Sequence, residues 1–200
     1  MGNFARVLTA GGLALMLAAC PAGRTRFPHA VMTPAAPLAL PAAALVGEGG
    51  KPFALSSLQG RWVWLYFGFT NCPDVCPVAL DFLADEYKRL KAPKQVQAVF
   101  VSVDPKRDDP ARLQAFARFH HPAFIGVTGP DPVLAGLTHA LNASYVLEKP
   151  ATPGGEYGVS HTNLIFLLDP QGRQVATYVP GANPGDMAAD MNALTAQGAP

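Results

Sequence analysis

A surplus of either charge is what this sequence lacks first. Fifteen Lys and Arg against fourteen Asp and Glu leave a formal net charge of +1 over 200 residues, and no run concentrates one sign. Neutralising a phosphate backbone needs a concentrated excess of Lys and Arg, so a basic nucleic-acid binder is excluded. No internal repeat is visible, and the chain beyond its first 44 residues holds about one domain's worth of sequence. Its N-terminal apolar run, Leu13-Ala14-Leu15-Met16-Leu17, is too short to span a bilayer as a helix. Cysteine is scarce: there are three. That scarcity makes each one informative.

The three divide into one and two. Cys20 closes Leu17-Ala18-Ala19-Cys20, behind the short apolar run and Arg6, which is the three-part layout of a secretory signal. The segment resembles the lipobox of bacterial lipoproteins, which implies that Cys20 is lipidated and becomes the first residue of the mature chain. An ordinary cleaved signal or an uncleaved anchor, with Cys20 incidental, would share the layout. On the lipoprotein reading, residues 1–19 are a signal peptide and residues 20–44, rich in Pro and Ala, are an extended tether. Residues 45–200 are then the domain. Two thiols would remain in an oxidising compartment, the even number that a working dithiol requires.

Along the domain, strands alternate with helices. Trp62 to Phe69 is a continuous apolar and aromatic run, as expected of a central strand covered on both faces. The alternation of Trp62 and Trp64 within it reads as core and surface of one strand. Pro77 to Lys91 has helical spacing, with Leu80, Leu83, Ala84, Tyr87 and Leu90 on one stripe. Val96 to Val103 reads as a second buried strand. Asp109 caps a helix that opens on Pro110 and stops at Pro122. Ala123 to Val127 is a short strand and Asp131 to Leu141 a helix. Asn163 to Leu168 and Arg173 to Val179 form an antiparallel hairpin across Asp169-Pro170-Gln171-Gly172, and Pro184 to Ala196 closes the chain as a helix. This order is that of an α/β, thioredoxin-like three-layer fold, a central mixed β-sheet flanked by helices.

Cys72 and Cys76 lie where the first strand ends and the first helix begins, the place where an open α/β sheet presents its chemistry. Two sulfurs four positions apart can close a disulfide, relay electrons as a dithiol, or hold a thiophilic metal. Pro77 disfavours the α conformation at Cys76 and suits a first helical position, so the helix is expected to start at Pro77 and 72–76 to be an irregular turn. A regular i,i+4 pair would hold its Cβ atoms about 5–6 Å apart, too far for a disulfide. The dipole of the adjoining helix is expected to lower the thiol pKa.

Gly68-Phe69-Thr70-Asn71-Cys72-Pro73-Asp74-Val75-Cys76-Pro77, then Val103-Asp104-Pro105-Lys106-Arg107-Asp108-Asp109-Pro110, then Tyr157-Gly158-Val159-Ser160-His161-Thr162 resemble the motifs of the Sco/SenC family. These are thioredoxin-fold proteins involved in assembling the dinuclear copper centre of cytochrome c oxidase. The resemblance implies that Cys72, Cys76 and His161 bind one copper ion, Cu(I) or Cu(II). It implies a metallochaperone anchored in a bacterial cell membrane with its domain on the extracytoplasmic side. The implied partners are the copper-centre subunit of the oxidase and a periplasmic copper donor. One departure stands out: the family usually has Asp immediately before the histidine, and Ser160 removes that carboxylate from beside the site. The competing class is an enzyme, a membrane-tethered thiol–disulfide oxidoreductase that attacks a partner's disulfide through Cys72 and Cys76. His161 discriminates the two, because a copper site needs it and a dithiol relay does not.

The remaining candidates read more plainly. Asp108 is expected to be structural, and Asp104 either a group behind the metal ligands or a turn opener before Pro105. His120 and His121 sit at a helix C-terminus, where imidazoles complement the dipole. His29 and His139 have no partner identifiable from sequence.

Overall fold

The computed structural model describes residues 26–150, 152 and 155–196. Ten strands and four helices follow one another: β1 (Leu38–Ala39), β2 (Leu45–Val46), β3 (Pro52–Phe53), β4 (Trp62–Gly68), α1 (Val75–Lys88), β5 (Val96–Ser102), α2 (Pro110–His120), β6 (Ile125–Val127), α3 (Asp131–Ala140), β7 (Tyr145–Leu147), β8 (Val159–His161), β9 (Ile165–Leu168), β10 (Arg173–Tyr178) and α4 (Asp186–Ala196). Six strands make one mixed sheet in the order β1-β10-β9-β4-β5-β6. β4, β5 and β6 run parallel, and β9, β10 and β1 add on antiparallel. β7 and β8 form a separate two-stranded ribbon.

The continuous apolar run at β4 is explained by its central place. All seven of its residues are buried, and side chains alternate between two cores. Trp62, Trp64 and Tyr66 point to the face covered by α1, α2 and α4, where they meet Leu80, Leu83, Leu113 and Met191. Val63, Leu65 and Phe67 point to the face covered by α3, against Leu134 and Leu137. Helices on both faces of a mixed sheet give the three-layer thioredoxin-like arrangement expected from sequence. The reading of Trp62 and Trp64 as core and surface is corrected: residues two apart on a strand share a face, and both indoles are buried in the same core.

Helix α2 begins as expected, with the Asp109 carboxylate accepting from the N–H groups of Ala111 and Arg112. α1 starts two residues before Pro77, so Cys76 lies in its first turn and not before it. α4 is anchored by a group that sequence does not flag. The carboxylate of Glu86, fully buried on α1, accepts from the N–H groups of Gly185 and Ala188 at the start of α4. An acid there satisfies orphan amides and the positive end of the helix together.

The expected tether departs from free chain over its described part. Phe27 is buried and meets Trp62 edge-on at 6.4 Å, with the Arg26 guanidinium over the same indole at 5.4 Å. His29 binds Asp190 of α4 through both its backbone N–H and its ring Nδ1, the latter at 2.6 Å. Met32 bridges Thr177, and β1 extends the sheet along β10. Buried apolar area and edge pairing hold this strap, and its Pro/Ala-rich composition conceals both. Cys20 and the signal segment lie outside the described residues.

Candidate metal centre

The end of β4 delivers the first half of the site. Its last residue is Gly68, and a Cβ there would stand 2.9 Å from the Cys76 sulfur and 2.6 Å from the Phe100 ring. Only glycine lets the sulfur seat against the strand. The chain then turns, with Cys72 N–H donating to Phe69 carbonyl, and enters α1. Cys76 N–H, one of the orphan donors of the first helical turn, donates to Cys72 Sγ at 3.3 Å. One cysteine therefore caps the helix that carries the other. Both are free thiols, Cys76 fully buried and Cys72 9% exposed at the mouth.

The second half arrives on β8. His161 Nε2 lies 3.3 Å from Cys76 Sγ, and its Nδ1 lies 3.1 Å from the Thr162 carbonyl. A carbonyl can only accept, so Nδ1 carries the proton and Nε2 presents its lone pair to the sulfurs. The rings of Tyr66 and Phe69 stand edge-on to the imidazole, each with its centroid 6.0 Å away. Burial lowers the His161 pKa, which favours the neutral imidazole that a metal ligand must be. Burial, reinforced by Cys72, pushes the Cys76 thiol up from its ordinary value. The expected lowering by the helix dipole is therefore corrected for Cys76, because desolvation of a thiolate in this core outweighs the dipole. Proton loss there awaits a cation or another partner for the sulfur.

Three ligand atoms, from Cys72, Cys76 and His161, lie within 4.8 Å of one another. They open onto a cleft of about 340 Å³ whose lining includes Phe69, Cys72, Asp74, Ser160, His161 and Asn163. Two sulfurs and one imidazole suit Cu(I) or Zn(II), and a three-member set leaves a position for an incoming ligand. Among the described residues this is the one cluster of three or more metal-binding side chains so placed.

Carboxylates behind the site hold its loops. Asp108 accepts from Thr70 N–H at 2.9 Å, Thr70 hydroxyl at 2.5 Å and Ser102 hydroxyl at 2.6 Å, pinning the cysteine turn to the end of β5. It is structural, as expected. Asp104, also fully buried, accepts from Arg107 and from the Tyr157 hydroxyl. Arg107 donates in turn to the Tyr157 carbonyl at 2.9 Å and lies 3.8 Å over the Tyr157 ring. Asp104 thus reaches the segment leading to His161 without touching the ligands. Sequence reasoning missed Tyr66, Arg107, Tyr157 and Asn163; Arg107 and Tyr157 stood inside the quoted motifs, whereas Tyr66 looked like core.

The carboxylate expected to be missing beside residue 160 has a neighbour in its place. Ser160 hydroxyl donates to Glu148, just beyond β7 on the facing strand. Strand alternation directs the Ser160 hydroxyl to the other face of the ribbon from the His161 ring, while residue 160 itself still lines the cleft. His120 and His121 belong elsewhere: His120 bonds Asp81 at 2.7 Å, and His121 is half-buried against Tyr87 with its pKa lowered by burial. A neutral imidazole does little for a helix dipole, so that expectation is corrected for His121.

A mixed sheet sandwiched by helices, with a dithiol and an imidazole converging where the central strand meets α1, defines a thioredoxin-fold protein with a soft metal site. The chain belongs to the SCO1/SenC family, whose model matches residues 40–196. A protein of Stutzerimonas stutzeri named for copper binding is 39% identical over 137 residues, covering 67% of this chain and 66% of its own length. The crystal structure of yeast Sco1 with copper bound aligns at a TM-score of 0.73 and 28% identity, covering 82% of this chain and 92% of that one. BsSco, a member of the Sco family of cytochrome c oxidase assembly proteins in which a disulfide switch was identified, aligns at a TM-score of 0.62 and 25% identity over 78% of this chain and 94% of its own. No helix among the described residues is long and apolar enough to cross a membrane.

Proposed function

We propose that this chain is a copper chaperone that takes one copper ion on Cys72, Cys76 and His161 and helps assemble the dinuclear copper centre of cytochrome c oxidase. The observation that carries the reading is the convergence of those three ligand atoms within 4.8 Å, with the thiols of Cys72 and Cys76 both free. Copper in the yeast Sco1 structure and the assembly role stated for the BsSco family support it. Uptake replaces the protons on the two sulfurs, and His161 Nε2 completes a three-coordinate ion. Release follows by exchange: a ligand of the oxidase's copper-centre subunit enters the open position, and the protein's own ligands leave one at a time with no change of metal charge.

Lipid on Cys20 would hold the domain at the extracytoplasmic face of a bacterial cell membrane, within reach of a periplasmic copper donor and of the oxidase subunit. Cys20→Ser should then release or misprocess the protein, read by membrane fractionation and the mass of the mature N-terminus. Unchanged fractionation and mass would refute the anchor.

The decisive experiment on the site is an anaerobic Cu(I) titration of the mature chain with metal stoichiometry and thiol state measured together. One tightly held equivalent that blocks both thiols is expected. A second reading, thiol–disulfide oxidoreductase, is favoured by one observation: the sulfurs of Cys72 and Cys76 are free and lie within 4.8 Å of each other. Unbound metal with fast exchange against a partner's disulfide would select that reading.

A further inference from the structure

We propose that Tyr66 and Asn163 form a positioning pair that holds His161 at the metal site, so that a hydrogen bond outside the ligand set decides whether the ion meets two ligands or three. This rests on the copper reading of Cys72, Cys76 and His161. His161 ends β8, whose strand partner is β7 and not the main sheet. The chain rejoins the sheet at Ile165, opposite Tyr66. Between the two lie Thr162, Asn163 and Leu164. Thr162 bonds to Ser144 through its N–H and its hydroxyl, which ties it to the ribbon's own side. Asn163 makes the cross-link to the strand that carries the cysteine turn: its Oδ1 accepts from the Tyr66 hydroxyl at 2.9 Å.

Tyr66 is a fixed post. It is fully buried, stacks on Phe100 at 6.2 Å with 22° between the rings, and pairs through its backbone with Phe100 and Ile165. Its ring and that of Phe69 each stand edge-on to the imidazole, and its hydroxyl also lies within hydrogen-bonding reach of the Cys76 sulfur. With the ring immobile, the position of its hydroxyl is determined, and the amide that accepts from it sets the path of the two residues back to His161. Asn163 itself is exposed and makes no other side-chain hydrogen bond among the described residues. An exposed amide bonded to a buried phenol has little to contribute to the core, which points to the segment it steers. Loss of the bond lets His161 drift from Cys76 while the two sulfurs stay where α1 and Gly68 put them.

Cu(II) depends on nitrogen more than Cu(I) does, because two thiolates alone can retain the reduced ion. The test is titration of the full chain with Cu(I) and with Cu(II), alongside nitrogen hyperfine coupling in the electron paramagnetic resonance of the Cu(II) form and the midpoint potential of the metal-free dithiol. Tyr66→Phe and Asn163→Ala should each weaken Cu(II) about tenfold, the low end for partners behind a ligand, and weaken the nitrogen coupling. Cu(I) should fall by about threefold at most, and in Asn163→Ala, which leaves the Tyr66 hydroxyl beside Cys76, the dithiol potential should not move. Asn163→Asp, which keeps an oxygen acceptor, should restore the coupling. The double variant should be no worse than Tyr66→Phe alone, since Asn163 acts only through that hydroxyl. Asn163→Ala keeps the test available if Tyr66→Phe fails to fold. The pair is overturned if Asn163→Ala leaves the nitrogen coupling and Cu(II) affinity as in wild type, or if the two losses multiply in the double variant, as they would if Asn163 acted independently of the Tyr66 hydroxyl. A wild type that takes up neither ion overturns the copper reading and this pair together, whereas copper-binding wild type with unaffected variants overturns the pair alone.

Discussion

At the Trp62 end of β4, polar groups near the strand have found partners: His29 and Tyr178 share Asp190, Glu86 takes two amides of α4, and Phe27 seals the indole. At the Gly68 end, six residues on, two sulfurs and an imidazole face one another, with Cys72 Sγ accepting from Cys76 N–H and Cys76 Sγ 3.3 Å from His161 Nε2. The first end is closed, so changing it costs stability. The second is held open by Asp108, Asp104 and Tyr66 from behind, so changing it costs ligand binding. The two ends share no hydrogen-bond partner, so they should respond to mutation independently.

The largest effect expected is at the open end. Cys72→Ser and Cys76→Ser should each abolish tight Cu(I) binding, since one thiolate and one imidazole leave too little soft character. Anaerobic titration measures it, with unfolding midpoints showing that the fold persists. A single variant that still held one copper with wild-type affinity would refute the site.

Trp62→Ala tests the closed end. It removes a large buried side chain from beneath Phe27 and Arg26 and should lower stability by about 3–5 kcal/mol in urea unfolding. Copper affinity should remain within about twofold of wild type, because the sites are separated by the length of β4 and share no partner. A parallel loss of copper binding would mean that the two ends are coupled.

How much of this was legible in the sequence follows the same division. β4, α2 and the β9–β10 hairpin announce themselves through apolar runs, the Asp109-Pro110 cap and the Asp169–Gly172 turn, because those signals are local. Cys72 and Cys76 stood out for the same reason. His161 needed the family resemblance, since nothing local brings residue 161 to residue 76. The strap was misread because Phe27 and His29 are single residues in a Pro/Ala-rich stretch, and their partners, Trp62 and Asp190, are remote in sequence. Tyr66 was hidden differently: a buried tyrosine on a central strand looks the same whether its hydroxyl supports a ligand or merely a core. Helix α1 began early because Pro77 is tolerated in a first turn, where the missing N–H goes unused.

His161→Ala sharpens the comparison within the open end. It should weaken Cu(II) by roughly ten- to a hundredfold and Cu(I) less, while the Cys72–Cys76 pair still oxidises and reduces, because the imidazole takes no part in the covalent chemistry. Paired titrations and oxidase assembly in cells check it. Wild-type binding of both ions with normal assembly would hand the site to the oxidoreductase reading.

Ser160→Asp should have a smaller effect, and one read in the ribbon more than in the metal. Ser160 donates to Glu148, so an aspartate there loses a donor and sets two carboxylates across β7 and β8. Like charges facing each other on paired strands cost about 0.2–1 kcal/mol. Residue 160 lines the cleft but its side chain starts on the ribbon face away from the His161 ring, so the added charge should tighten Cu(II) by about threefold at most. Tighter Cu(II) binding by an order of magnitude would show that residue 160 reaches the ion after all.

The smallest effect concerns pH at the closed end. His29 is bonded to the buried Asp190 at 2.6 Å and lies 3.7 Å from Asp186, while Tyr178 hydroxyl donates to the other oxygen of Asp190. The hydrogen bond to Asp190 is the main cause that raises the His29 pKa above the ordinary 6.5, against the opposing pull of partial burial. A group whose folded pKa is raised contributes stability that is complete below its unfolded value and disappears as pH climbs through the folded one. The strap should therefore be held best below about pH 6.5 and loosen above it. His29 is 36% exposed, so solvent screening keeps the contribution under about 1 kcal/mol. Urea unfolding at pH 5.5 and pH 8.5 should show wild type losing this increment on alkalinisation and His29→Gln lacking it, while Cu(I) affinities compared at a single pH stay equal between the two proteins. A His29→Gln variant with the same pH dependence as wild type would show that the imidazole adds no charge interaction at Asp190 and that the strap stays down through Phe27, β1 and the backbone N–H of residue 29.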